Sequence, residues 1–302
     1  MLSASLFRRA RRGTTLVELL VVLTIFGLIG SVIMRVLIRQ QRFYSRAAEI
    51  TTMHGNTREI AALLPSDLRG LSSGGGDIYA MSDSSIDFRI PTGSSVICKI
   101  GIGLVTIPPT TTASRSSVTS WMSAPQLGDS VLIYDEGATT SVTDDGWNRY
   151  RVTAALAAGS CPNTTGFTAT SAEAAAGYTL TLSASPPATS PAGSVIRFFR
   201  HAHYSFYRTS NGDSYLGYYD CPGGTCSSIT PVSGPFKPYA ASGSGIQFVY
   251  YDSTGAVTTI PANVARIDVT VRATTNPVSL GDAARVAYVD SLVFSTALRN
   301  RK

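Results

Sequence analysis

From Leu16 to Met34 the chain is apolar or small at every position except Glu18, with Thr24 and Ser31 as mild polar interruptions. About 20 helical residues cross a bilayer core, so this run is long enough to span one. Steps of four and three then continue through Phe43, Ala47, Ile50, His54, Thr57, Ala61 and Leu64, which sets these residues in one stripe on a helix. Pro65 is the predicted stop, because it lacks an N–H and its ring crowds the preceding turn. The pattern predicts a helix over 14–64, roughly 75 Å long at 1.5 Å per residue, with a membrane half at about 16–34 and a stem over 35–64. Gly27, Gly30 and Gly55 are its weak points. Arg35, Arg39, Arg42 and Arg46 share one face of the stem and read as a solvated face. His54, beside Gly55, reads as a packing residue at a bend.

The period changes after Leu71–Asp77, "LSSGGGD", which reads as a flexible connector. Short β-branched and aromatic runs between Gly, Pro, Ser and Thr clusters predict a β-rich head over 65–302. Predicted strands include "SIDFRI", "SVICKI", "SVLIYD", "RYRVTA", "YTLTLS" and "SVIRFFRHAHYSFYR". Asn211-Gly212 then predicts a type I′ hairpin into "DSYLGYY", since that dipeptide tolerates positive φ. "GIQFVYYDSTGAVTTI" reads as a second hairpin with Gly255 in its turn, and "ARIDVTVRA" and "AYVDSLVFSTALRN" complete the sheet. "PPTTTASRSSVTS" and "SASPPATSPAGS" are low-complexity loops. The fold class expected is α+β: a long N-terminal helix packed on a mainly antiparallel β head.

Charge sharpens this organisation. The formal net charge is +6, yet Arg8, Arg9, Arg11 and Arg12 fall in the first thirteen residues, which contain no acid. From Gly70 onward fifteen basic side chains face fifteen acidic ones, so the head is neutral. A protein that neutralises phosphates concentrates Lys and Arg on its folded domain; nucleic acid is therefore not an indicated partner. Arginines before an apolar span keep that end cytoplasmic, which places the head outside, in a single-pass arrangement. A cleavable secretory signal would need an Ala-x-Ala-like site after the apolar run, and "SVIMRVLIRQ" has none.

Four cysteines, Cys98, Cys161, Cys221 and Cys226, lie beyond the span. In an exported head disulfides are favoured over thiol chemistry. Cys221 and Cys226 flank the short turn "PGGT", which leaves Cys98 with Cys161. Zinc is the competitor, but no paired CxxC is present and the histidines are not at ligand spacing from the cysteines.

Catalytic chemistry finds little support. His201 and His203 share a strand face, yet no acid or thiol is spaced with them to complete a metal site. Asp135 to Asn148, "DEGATTSVTDDGWN", clusters carboxylates as a calcium loop would but lacks EF-hand spacing, so a solvated acidic turn is the default. "SGGGD" lacks the Lys and Ser/Thr of a phosphate loop. No Ser/His/Asp or Cys/His set can be brought together, so the expectation is no enzyme, no cofactor and no metal. Trp121 and Trp147 read as core or interface anchors.

A basic leader ending at Gly13, then Thr14, Thr15, Leu16, Val17, Glu18 and "LLVVLTIFGLIG", resembles the class III signal of type IV prepilins and type II secretion pseudopilins. The resemblance implies cleavage between Gly13 and Thr14 by prepilin peptidase, leaving 1–13 as a leader peptide, and N-methylation of Thr14. The family usually has Phe or Met where this chain has Thr14. Glu18 falls at the family's glutamate position, and the resemblance implies an assembly role: pairing with the new amino terminus of an adjacent subunit. A glutamate in hydrocarbon costs a few kcal/mol, about 2.5–3.5 near a helix centre; the rival reading is Glu18 snorkelling to the cytoplasmic headgroups.

"HYSFYR" with "YLGYYD", then "GIQFVYYDSTG", "VARIDVTVRA" and "LRN", look like PilW-type minor pilins and the related J-type pseudopilins. The stretch at about 96–191 carries no such motif and reads as an inserted small β-subdomain bracketed by Cys98 and Cys161. The function implied is a minor subunit of a type IV pilus-like filament in the bacterial inner membrane, then in the fibre. Its partners would be other pilin or pseudopilin subunits, prepilin peptidase and the inner-membrane assembly platform. The alternatives are a J-type pseudopilin of a type II secretion system, or a single-pass membrane-anchored adhesin or binding module.

Overall fold

The computed structural model describes residues 15–112, 117–139, 141–162, 166–222, 225–275 and 287–298. Gly13 and Thr14, with the arginines before them and the "RN" of the last predicted strand, lie outside the described residues. The described chain divides after Thr52 into two units.

Helix α1 runs from Leu16 to Leu68. In the first unit its side chains are largely exposed, Phe43 among them at 68%. In the second unit a face of α1 is buried through Met53, Thr57, Ile60, Leu64 and Leu68. Of the stripe predicted from sequence only Thr57 and Leu64 share this face. Met53, Ile60 and Leu68 complete it, because the apolar contacts of the head begin only at Met53. The helix runs through His54 without interruption, and His54 Nδ1 lies 2.9 Å from Asp290 Oδ2.

Pro65 does not end the helix. It sits inside α1, whose last turn continues to Leu68. An interior proline costs about 3 kcal/mol, and the turn beyond it is held by fully buried Leu68 and by Asp67, which accepts a hydrogen bond from the Tyr204 hydroxyl. The "LSSGGGD" segment is likewise no flexible connector. Leu71, Ser73 and Asp77 are buried, Asp77 Oδ2 accepts from Ser72 N at 2.7 Å, and Gly75 O accepts from Arg89 Nη2 at 2.9 Å. Polar donors and acceptors within the turn satisfy each other, which sequence composition alone does not reveal.

The head contains β1 (Ile78–Met81), β2 (Ser85–Val96), β3 (Lys99–Gly101), β4 (Leu104–Ile107), β5 (Ser120–Trp121), β6 (Ser130–Asp135), β7 (Gly146–Arg151) and β8 (Ala157–Gly159). A short helix α2 (Ser171–Ala175) precedes β9 (Gly177–Thr181), β10 (Val195–Arg208), β11 (Ser214–Asp220), β12 (Thr230–Phe236), β13 (Ile246–Tyr251), β14 (Arg266–Thr274) and β15 (Val289–Ala297). They form an eight-stranded sheet ordered β1-β2-β10-β11-β12, with β5 on β2, β6 on β10 and β7 on β6, a four-stranded sheet β3-β4-β9-β8, and a three-stranded sheet β13-β14-β15. Described pairings between strands are antiparallel. The fold class is α+β, a long apolar N-terminal helix followed by a mainly antiparallel β head, consistent with a type IV pilin-like fold.

Two predicted hairpins differ in detail. β10 and β11 do pair, closing at Arg208 and Ser214, but over a five-residue loop. Gly212 alone has positive φ there, +92°, whereas a type I′ turn needs it at both central residues; Thr209 N instead donates to Asp213 O. After β13 the turn at Gly255 forms, yet the returning arm is a single bridge between Tyr251 and Val257. β13 takes β14 as its partner, whose alternating apolar positions Ile267, Val269 and Val271 supply the buried face that "AVTTI" lacks.

β10 is the longest strand and alternates strictly, with Ile196, Phe198, Arg200, Ala202, Tyr204 and Phe206 buried. Its first half contributes Ile196 and Phe198 to a core with Ile97, Val105, Val131, Ile133 and Leu180. Its second half contributes Ala202, Tyr204 and Phe206 to a larger core with Ile60, Leu64, Ile86, Phe248 and Val269. Arg200 lies between them, its Nη2 2.9 Å and its Nε 3.1 Å from the carboxylate of buried Asp129.

Candidate assembly site

Thr15 stands immediately before α1. Its Oγ1 accepts from Glu18 N at 3.3 Å and its carbonyl from Leu19 N at 3.2 Å. Thr15 is therefore the N-cap and Glu18 the third helical residue, the spacing of a capping box. A carboxylate there stands at the positive end of the helix dipole, where a negative side chain is stabilising. Beside the assembly and snorkelling roles expected for Glu18, the Thr-x-x-Glu spacing from Thr15 to Glu18 carries this local capping role in the sequence itself.

The apolar run is exposed throughout, with none of its hydropathic window buried by the rest of the protein. Its hydroxyls turn inward: Thr24 Oγ1 donates to Val21 O and Ser31 Oγ to Leu28 O, both at 2.8 Å. No hydroxyl of the span is thus left for lipid to solvate. Arg35, Arg39 and Arg42 are exposed and Arg46 half-buried. The segment presents an apolar surface with one exposed carboxylate close to its head.

Residues 8–34 match the prokaryotic N-terminal methylation motif. The match contains Gly13, Thr14 and Glu18, and it supports a subunit of the type IV pilin or pseudopilin type. Such a motif implies assembly with other pilin subunits and action of prepilin peptidase in general, and the exposed apolar helix is consistent with a membrane-anchored pilin. No curated protein and no solved structure matches the chain.

The remaining sequence candidates fall in the head. Cys98 is bridged to Cys161 and Cys221 to Cys226. His201 Nε2 and His203 Nδ1 lie 2.9 and 2.8 Å from one oxygen of Asp87, an acid that spacing did not offer because it comes from β2, paired in register with His203. His201 also sits within 4.8 Å of the ligand atoms of Cys221 and Cys226, but sulfurs joined in a disulfide present no thiolate to a metal.

In the acidic loop, Asp144 accepts from Ala138 N, Thr139 N and Thr139 Oγ1. The Thr139 hydrogen bonds hold its carboxyl below the usual range. Asp135, lowered chiefly by a bond from Thr189, also accepts from Asn148 Nδ2 at 2.7 Å. These oxygens are spent on organising the turn.

Proposed function

We propose that the protein is a minor, non-enzymatic subunit of a type IV pilus-like filament. The precursor is inserted in the inner membrane with its arginine-rich end cytoplasmic, is cut between Gly13 and Thr14, and is methylated on Thr14. The observation that carries this reading is the methylation motif over residues 8–34, with Glu18 exposed at the head of an apolar helix. Cleavage frees an α-amino group near the helix start. A neighbouring subunit's Glu18 meets that ammonium, so that two charges otherwise isolated among lipid and apolar side chains become one ion pair; deleting either partner strands the other. The contact is heterologous and so builds an open helical polymer. The large head supports a minor over a shaft role, since bulk is repeated at every step of a shaft.

The same C-terminal runs also favour a J-type pseudopilin of type II secretion. Mass spectrometry of the mature terminus in sheared extracellular filaments tests the first reading: a methylated Thr14 is expected, and an intact leader overturns it. Loss of secreted enzymes with normal pili, after deletion of the gene, selects the second.

A further inference from the structure

A cleft of about 1010 Å³ opens on the head. Part of its lining is one cross-strand row, Arg149 on β7, Leu132 on β6, Arg197 on β10, Ser94 on β2 and Ser120 on β5, paired in register in that order. Residues in register share a face of a sheet, and the opposite face of these strands, with Val131, Ile133 and Ile196, is packed into the smaller core. Both tryptophans of the chain line the cleft. Trp147 is 40% exposed and carries the Arg197 guanidinium 4.5 Å above its ring. Trp121 is half-buried against Tyr178 and Phe198.

The polar groups are of two kinds. Arg149 and Arg197 are exposed, and among the described residues neither has a carboxylate partner; Arg149 Nη2 is steadied by Gly75 O at 2.6 Å. Arg89, which also lines the cleft, is 2% exposed and ion-paired with Asp77, yet its Nη1 is buried without a hydrogen-bond partner. A buried orphan donor on a charged group is costly to leave unmade. Against these donors stand the acceptors Asp145, Ser94 and Ser120.

We propose that this cleft binds a saccharide bearing a carboxylate, of the uronic acid class. Guanidinium forks match a carboxylate bidentately. Indole rings offer flat apolar area for the C–H face of a pyranose, and the serines and Asp145 suit its hydroxyls. A phosphodiester chain fits less well: its binding draws on concentrated positive charge, and the head from Gly70 onward is neutral. The proposal stands apart from filament assembly and holds for either functional reading.

Because the only two tryptophans line the cleft, intrinsic fluorescence of the full-length protein in detergent reports occupancy directly. Titration with tetragalacturonate is expected to give a saturable change, weakened at least about tenfold by methyl-esterifying the same sugar, which removes its charge and leaves the protein untouched. Arg149→Gln and Arg197→Gln are each expected to weaken it by about as much. Absence of a saturable change, equal binding of the methyl ester, or tighter binding of an oligothymidylate each overturns the proposal.

Discussion

The Tyr204 hydroxyl donates to Asp67 Oδ2 at 2.7 Å, fastening the turn of α1 beyond Pro65 to the middle of β10. Burial first, then this bond to Asp67, pushes the Tyr204 phenol well above its ordinary range. Tyr204→Phe should therefore destabilise the head by about 1 kcal/mol, the usual net value of one such bond. Asp67→Asn, which keeps an acceptor, should cost less. Thermal unfolding of the three proteins in the same detergent checks the order.

Alkali should unfold the head through its tyrosines. The Tyr218 phenol is pushed up to about 12, chiefly by burial, and burial also raises Tyr204 and Tyr250. A phenol whose folded pKa lies above its unfolded value of about 10 keeps its proton longer when folded. Its stabilisation is complete below that value and is lost as pH rises toward the folded one. Stability is thus expected to fall between about pH 10 and 12, with tyrosinate absorbance and loss of the folded circular dichroism rising together; tyrosinate forming freely near pH 10 in a folded protein contradicts this.

Glu18 has two roles to separate, a helix cap and an intersubunit charge. Glutamine serves a capping box as glutamate does, but carries no charge. Glu18→Gln should therefore insert in the membrane normally and enter filaments poorly, as Glu18→Ala and Glu18→Leu should. Immunoblots of sheared filaments against membrane fractions decide; normal incorporation of Glu18→Gln assigns the residue to capping alone.

The two disulfides should differ in worth. Cys98–Cys161 spans 63 residues and Cys221–Cys226 spans 5. By loop-closure entropy the first stabilises by about 4 kcal/mol and the second by about 2. Paired Cys→Ser variants compared by denaturant midpoint test this, with the larger loss expected for Cys98 and Cys161.

The helix and most strands were legible because their apolar periods, 3.6 and 2, are local properties. Long-range choices were not. Which side of α1 is buried depends on where the head begins to cover it, so Met53, Ile60 and Leu68 escaped a stripe drawn through Phe43. Pro65 was overruled by tertiary bonds to Asp67 and burial of Leu68, and the return arm after Gly255 lost to the better-patterned β14. Within the assembly segment, Glu18 was visible from its offset to Gly13, and its capping geometry follows from Thr15 three residues earlier. In the head, Asp87 reached His201 and His203 across a sheet, which no linear spacing encodes.

β10 lends alternate side chains of one continuous strand to both cores, with the Arg200–Asp129 pair at their boundary. Melting either core uncovers one half of a strand that the other core also uses, so the head is expected to unfold as a single thermodynamic block. Differential scanning calorimetry should record one endotherm for it, with matching calorimetric and van't Hoff enthalpies.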